Sequence, residues 1–130
     1  MAVYTELKVY EECYRLFLQL VTSTARMGRD YRYTLGEQVK RASMDMLVLI
    51  FKANKSFSKA EYISQAREKL VEVQILLRVF NDTRQLSDKQ FAMFMEITVS
   101  VSKQLAAWER ATYKGSKREG QGLVAGVSHD

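Results

Sequence analysis

The residue types that most often perform chemistry are scarce in this sequence and poorly placed for it. His129 is the only histidine and lies in a glycine-rich C-terminal stretch, where nothing would hold a general base in geometry. Cys13 is the only cysteine; it falls on an apolar stripe and reads as a small buried hydrophobe rather than a nucleophile. Glu68 and Glu72 stand one helical turn apart. Carboxylates at that spacing ligate metal in bundle cores when a histidine joins them, and none is at hand here. They are expected to be solvated or paired with Arg67 and Lys69. No Cys/His cluster has zinc spacing, no glycine-rich loop opens a helix, and no serine sits in a nucleophile elbow. The expectation is a protein that is not an enzyme, with no catalytic residue, metal, cofactor or small-molecule substrate.

The basic residues are the other candidate working groups. Lysine and arginine total 20 against 15 acidic residues, a net charge of +5. Residues 26–69 carry ten of the cations and five acids, whereas residues 70–110 balance at five each. Such concentration suits phosphate backbones or an acidic partner. Arg26, Arg29 and Arg32 alternate with Tyr31 and Tyr33, and arginine beside tyrosine can hold phosphate while a base stacks on the ring. Lys40, Arg41, Lys52 and Lys55 follow in one predicted helix, and Lys59, Arg67, Lys69 and Arg78 in the next. Arg26, Arg29, Arg32, Lys40, Arg41, Lys52, Lys55, Lys59, Arg67 and Arg78 are the expected nucleic-acid or partner-binding residues. Phosphate contacts of this kind accumulate into strongly salt-dependent binding.

Helices must position these groups. The 130 residues are 47% hydrophobic and 27% charged, the balance of one soluble domain, and contain no proline. Thr34…Glu37, Ser58…Glu61 and Ser87…Gln90 each pair a hydroxyl with Glu or Gln three positions on, the pattern of a capping box at a helix start. They delimit predicted helices over about 5–27, 34–55, 58–83 and 87–114, joined by short connections that favour antiparallel neighbours. The expected fold is all-α: an antiparallel up-down four-helix bundle over residues 1–114, with residues 115–130 as a flexible tail. A single cysteine, no signal-peptide pattern and no apolar run of about 20 residues point to a cytoplasmic protein that does not span a membrane.

Inward stripes at three- and four-residue spacing run along each helix. The first predicted helix offers Leu7, Tyr10, Tyr14, Phe17, Leu18 and Val21, and the second Leu35, Val39, Ala42, Met46, Leu49, Ile50 and Ala53. In the third it is Ile63, Ala66, Leu70, Val73, Leu77 and Phe80, and in the fourth Phe91, Phe94, Met95, Thr98, Val101, Leu105 and Trp108. Further apolar residues lie off these stripes: Val9, Cys13, Leu16 and Leu20; Met44, Leu47, Val48 and Phe51; Val71, Ile75 and Val79. One bundle has one interior, so the surplus predicts a homo-oligomer. Leu16, Leu20, Met44, Leu47, Val48, Phe51, Val71, Ile75 and Val79 are its expected interface.

Several short runs carry a family resemblance. They are Arg32-Tyr33-Thr34-Leu35-Gly36, Leu76-Leu77-Arg78-Val79, Leu86-Ser87 with Gln90-Phe91, and Trp108. In their order and spacing, over about residues 4–113, the chain resembles the accessory variability determinant family of diversity-generating retroelements. That family is related to four-helix-bundle proteins encoded in intervening sequences of 23S ribosomal RNA genes. The resemblance implies a homopentameric barrel that binds a reverse transcriptase and its template RNA or cDNA, supporting mutagenic retrohoming without polymerase activity of its own. Arg78 matches a basic position of the family's third helix. Ala106-Ala107 stands where the family often has glycine before the tryptophan, and the start of the third helix is less basic than usual. The alternative implied is the ribosomal branch, binding ribosomal RNA or acting as a structural oligomer.

Overall fold

With no proline to interrupt them, the apolar-periodic segments all form helix. The computed structural model describes residues 7–123, with side chains as far as Thr112. In chain order the helices are α1 (Lys8–Thr24), the single turn α2 (Arg29–Arg32), α3 (Leu35–Lys55), α4 (Lys59–Asp82) and α5 (Asp88–Leu123). No strand occurs among the described residues.

The four long helices form a bundle in which α3 packs on α1 and α4, and α5 packs on α4 and α1. Helix α1 is therefore diagonal to α4. Polar pairs fix the directions. Gln38 Nε2 donates to Glu72 Oε2 at 3.1 Å, and Lys69 Nζ lies 3.5 Å from Asp45 Oδ2. Moving forward along α3 thus moves backward along α4, as antiparallel neighbours must. Gln104 Nε2 donates to Glu12 Oε1 at 3.0 Å between α5 and α1. Arg67 pairs with Glu109 between α4 and α5, not with the acids on its own helix.

The interior is aliphatic and aromatic, and holds the predicted stripes of α3, α4 and α5. Val39, Met46, Ile50, Ile63, Val73, Leu77, Phe80, Phe94, Val101 and Leu105 are all fully buried, each worth roughly 1.5–3 kcal/mol relative to exposure. Helix α1 is the exception, because its two apolar stripes exchange places. Val9, Cys13, Leu16 and Leu20 enter the core, while Tyr14, Leu18 and Val21 are exposed and Leu7, Tyr10 and Phe17 half-buried. The aliphatic ridge is slimmer and has no hydroxyls to satisfy, so it fits a closed interior better than a ridge led by two tyrosines. Tyr10 and Tyr14 instead stack on each other outside, with centroids 6.4 Å apart.

This exchange corrects the expected interface. Leu16, Leu20 and Leu47 are core residues of the single bundle and cannot face a partner. Phe51 and Val79 are half-buried, whereas Met44, Val48, Val71 and Ile75 are exposed as expected.

Two of the three predicted capping boxes are also absent. Only Ser87 and Gln90 cap reciprocally, with Ser87 N–H donating to Gln90 Oε1 at 3.0 Å and Gln90 N–H to Ser87 Oγ at 3.1 Å. The Thr34 hydroxyl is directed at carbonyls of α2 behind it, and Glu37 turns to Lys40 at 2.8 Å. Ser58 makes no side-chain cap; its amide donates to Ser56 Oγ at 2.8 Å. Finally, α5 passes the predicted end at residue 114 and runs through Gly115, Gly120 and Gly122 to Leu123. Each glycine costs a helix roughly 1 kcal/mol against alanine, but no proline halts the ladder. The rest of the predicted tail, residues 124–130 with His129, lies outside the described residues.

Candidate nucleic-acid interface

An up-down bundle brings its first and third connections to the same end. Here that end joins residues 25–34, between α1 and α3, to residues 83–87, between α4 and α5. The link is direct: the Gly28 amide donates to Gln85 Oε1 at 2.8 Å, across 57 positions of sequence. Met27 and Leu86, one from each connection, are buried and close the core beneath.

Above this seal the first connection presents arginine and tyrosine. Gly36 is why the turn lies so close to α3. A Cβ there would stand 3.0 Å from the Tyr31 carbonyl oxygen and 3.5 Å from Thr24 Cβ, so a side chain would require the α2 turn to give by a few tenths of an ångström. Tyr31 is half-buried against the core, and Tyr33 stands out at 64% exposure. The Arg32 guanidinium lies 4.8 Å from the centre of the Tyr33 ring, a cation–π contact, and its Nη1 reaches the Ala25 carbonyl at 3.4 Å. Arg32 thus supports the ring. Arg26 and Arg29 are exposed.

The second connection contributes a cation that the sequence reading missed. Helix α4 closes in a Schellman motif, with Gln85 N–H donating to the Phe80 carbonyl at 2.8 Å and Arg84 N–H to that of Asn81 at 3.1 Å. This motif places Arg84 at φ 63°, the one left-handed non-glycine residue among those described. Glycine is the usual occupant because an L side chain there costs roughly 1–2 kcal/mol. Arg84 and Lys89, just beyond it, are exposed. Residues 25–34 and 83–89 together hold Arg26, Arg29, Arg32, Arg84 and Lys89 against Asp30 and Asp88. Among the described residues Arg26, Arg29, Arg84 and Lys89 have no ion-pair partner. The signal that could have found Arg84 and Lys89 was the order of the connections.

The remaining expected residues do not join this group. Lys40 pairs with Glu37, and Arg41 is exposed beside it on the outer face of α3. Lys52, Lys55 and Lys59 lie at the opposite end. There Lys52 Nζ is 6.0 Å from the Tyr62 ring and Lys55 Nζ 4.9 Å from the Phe51 ring. Lys59 Nζ donates to the Ala53 and Asn54 carbonyls at 2.9 and 3.0 Å, capping the C-terminus of α3. On α4, Arg67 is tied to Glu109, and Arg78 lies 3.9 Å from Asp82.

Apolar surface collects elsewhere. Tyr10, Tyr14 and Phe17 of α1 and Met44, Val48 and Phe51 of α3 line a shallow groove, while Val71 and Ile75 stand exposed on the diagonal helix α4. Cys13 is fully buried, and its thiol is pushed up to about 12, first by burial and then by the neighbouring Glu12 carboxylate. Among the described residues no group of three His, Cys, Asp or Glu could hold a metal ion, and no helix is long and apolar enough to cross a membrane.

Fold and surface together define a small helical bundle in which four exposed cations without ion-pair partners among the described residues stand where two connections meet. A sequence model of the 23S rRNA-intervening sequence protein family matches residues 5–107, and the chain belongs to that family. No curated protein matches the chain.

Proposed function

We propose that the chain is a non-enzymatic RNA-binding scaffold and that RNA docks on the end of the bundle formed by residues 25–34 and 83–89. The supporting observation is the set of exposed cations there, Arg26, Arg29, Arg84 and Lys89, without ion-pair partners among the described residues and beside an exposed tyrosine. Each cation that displaces a counterion from phosphate adds salt-dependent affinity. The family's association with ribosomal RNA genes makes ribosomal RNA the first ligand to test. The experiment is a salt titration of binding to ribosomal RNA fragments by the wild type and by Arg26→Glu/Arg29→Glu/Arg84→Glu. Loss of affinity with a shallower salt slope supports the reading; unchanged binding sinks it.

A second reading, an accessory protein of a diversity-generating retroelement, is favoured by the runs Arg32–Gly36, Leu76–Val79 and Leu86–Phe91 with Trp108. In that reading a reverse transcriptase is the protein partner, template RNA or cDNA is the nucleic acid, and Lys40, Arg41, Lys52 and Arg78 belong to the shared surface. Unchanged association with a candidate reverse transcriptase together with unchanged RNA binding after charge reversal at those four positions would count against it. A reverse-transcriptase gene and paired repeats near the coding sequence, instead of a ribosomal RNA operon, would favour it.

Both readings include self-association. The α1/α3 groove and the Val71/Ile75 pair leave apolar surface on two separate faces, and the family resemblance implies five subunits. A clean monomer at micromolar concentration by light scattering would refute this part.

A further inference from the structure

We infer that the arginine-rich end takes an unpaired nucleic-acid strand rather than a duplex, with one base stacked on Tyr33 and adjacent phosphates held by Arg29 and Arg84. The inference rests on the RNA-binding reading above and narrows it to a class of ligand.

Three features of this end point the same way. First, phosphate binding needs cations but no aromatic ring, yet Tyr33 is 64% exposed and backed by the Arg32 guanidinium at 4.8 Å. A supported ring with open surface is a stacking platform, and only a base freed from its neighbours can use one. Second, duplex RNA is held by shape, through 2′-hydroxyl and phosphate contacts that span about 16 base pairs, whereas this end is two short connections tied to each other through Gly28 and Gln85. Third, Arg84 occupies a left-handed position at which glycine would be the easier residue. Local backbone strain clusters at functional sites, and here it falls on an exposed cation of the same end.

The test is fluorescence anisotropy with the full chain. The probes are an unstructured pyrimidine RNA of about 12 nucleotides, within the range such platforms cover, and a duplex of the same length. The single strand is expected to bind more tightly than the duplex. Tyr33→Ala should weaken single-strand binding about tenfold while leaving its salt dependence unchanged, and Tyr33→Phe should restore it. Arg29→Ala and Arg84→Gly should each reduce the salt slope by about 0.7. Thermal melts of each variant establish that the bundle is intact. Equal affinity for strand and duplex, or a Tyr33→Ala variant that binds like wild type, overturns this inference while leaving the RNA-binding reading standing. No binding of either probe or of ribosomal RNA at low salt overturns both.

Discussion

The connection between α3 and α4 and the pair of connections at the other end both carry basic residues, and their contacts differ. Where α3 meets α4, one cation is taken up by the fold and two exposed ones lie near aromatic rings. Lys59 caps two carbonyls of α3, and Lys52 and Lys55 lie over the rings of Tyr62 and Phe51. Where the other two connections meet, Arg26, Arg29 and Arg84 have no ion-pair partner among the described residues, and one of them holds a strained backbone. Counting basic residues cannot separate these cases. The difference lies in what each ammonium or guanidinium already touches.

The comparison is most severely tested by removing the free cations together. At about 0.1 M salt, the counterion-release contribution of three phosphate contacts is on the order of a hundredfold. Arg26→Gln/Arg29→Gln/Arg84→Gly should therefore lose roughly that much RNA affinity in a filter-binding assay, with no loss of thermal stability. Lys59→Met should do the reverse. By leaving two C-terminal carbonyls without their ammonium it should cost roughly 1–2 kcal/mol in urea denaturation, and RNA affinity should stay within about twofold.

A smaller contrast divides the serines that precede α4 and α5. Ser87→Ala removes a working cap and should cost about 1 kcal/mol. Ser58→Ala removes a hydroxyl that makes no cap and should stay within about 0.5 kcal/mol of wild type in the same urea titration. The subtlest variant is Arg84→Gly alone, which relieves the left-handed strain and should raise stability by about 0.5–1 kcal/mol while weakening RNA binding. A change of the same sign in both measurements would dissolve the distinction between the two ends.

Most of the architecture was legible in the sequence, because in α3 and α4 the longer of the apolar sets is the one the core takes, and α5 has a single stripe. Helix α1 was not, since Val9-Cys13-Leu16-Leu20 and Tyr10-Tyr14-Phe17-Val21 have equivalent spacing. The choice between them depends on shape and on where tyrosine hydroxyls can find partners, which periodicity does not encode. The capping pattern misled for a related reason. Thr34 and Glu37 fit the box, but the turn of α2 behind Thr34 claims its hydroxyl. Of the site, Arg26, Arg29, Arg32 and Tyr33 were visible as a local run. Arg84 was hidden because it is distant in sequence and its left-handed conformation belongs to a position where glycine would have been the recognisable sign.

The buried thiol of Cys13 gives the bundle an internal clock. The side chain is sealed between the helices, and burial holds it in its unreactive protonated form. A thiol reagent reaches it when the bundle opens, so the labelling rate follows the open population when reclosing is fast and the opening rate when modification outpaces reclosing. With one cysteine in the chain, that signal has a single source. The fold therefore reports its own breathing without an engineered probe, and the rate should slow if a bound strand ties the two connections together.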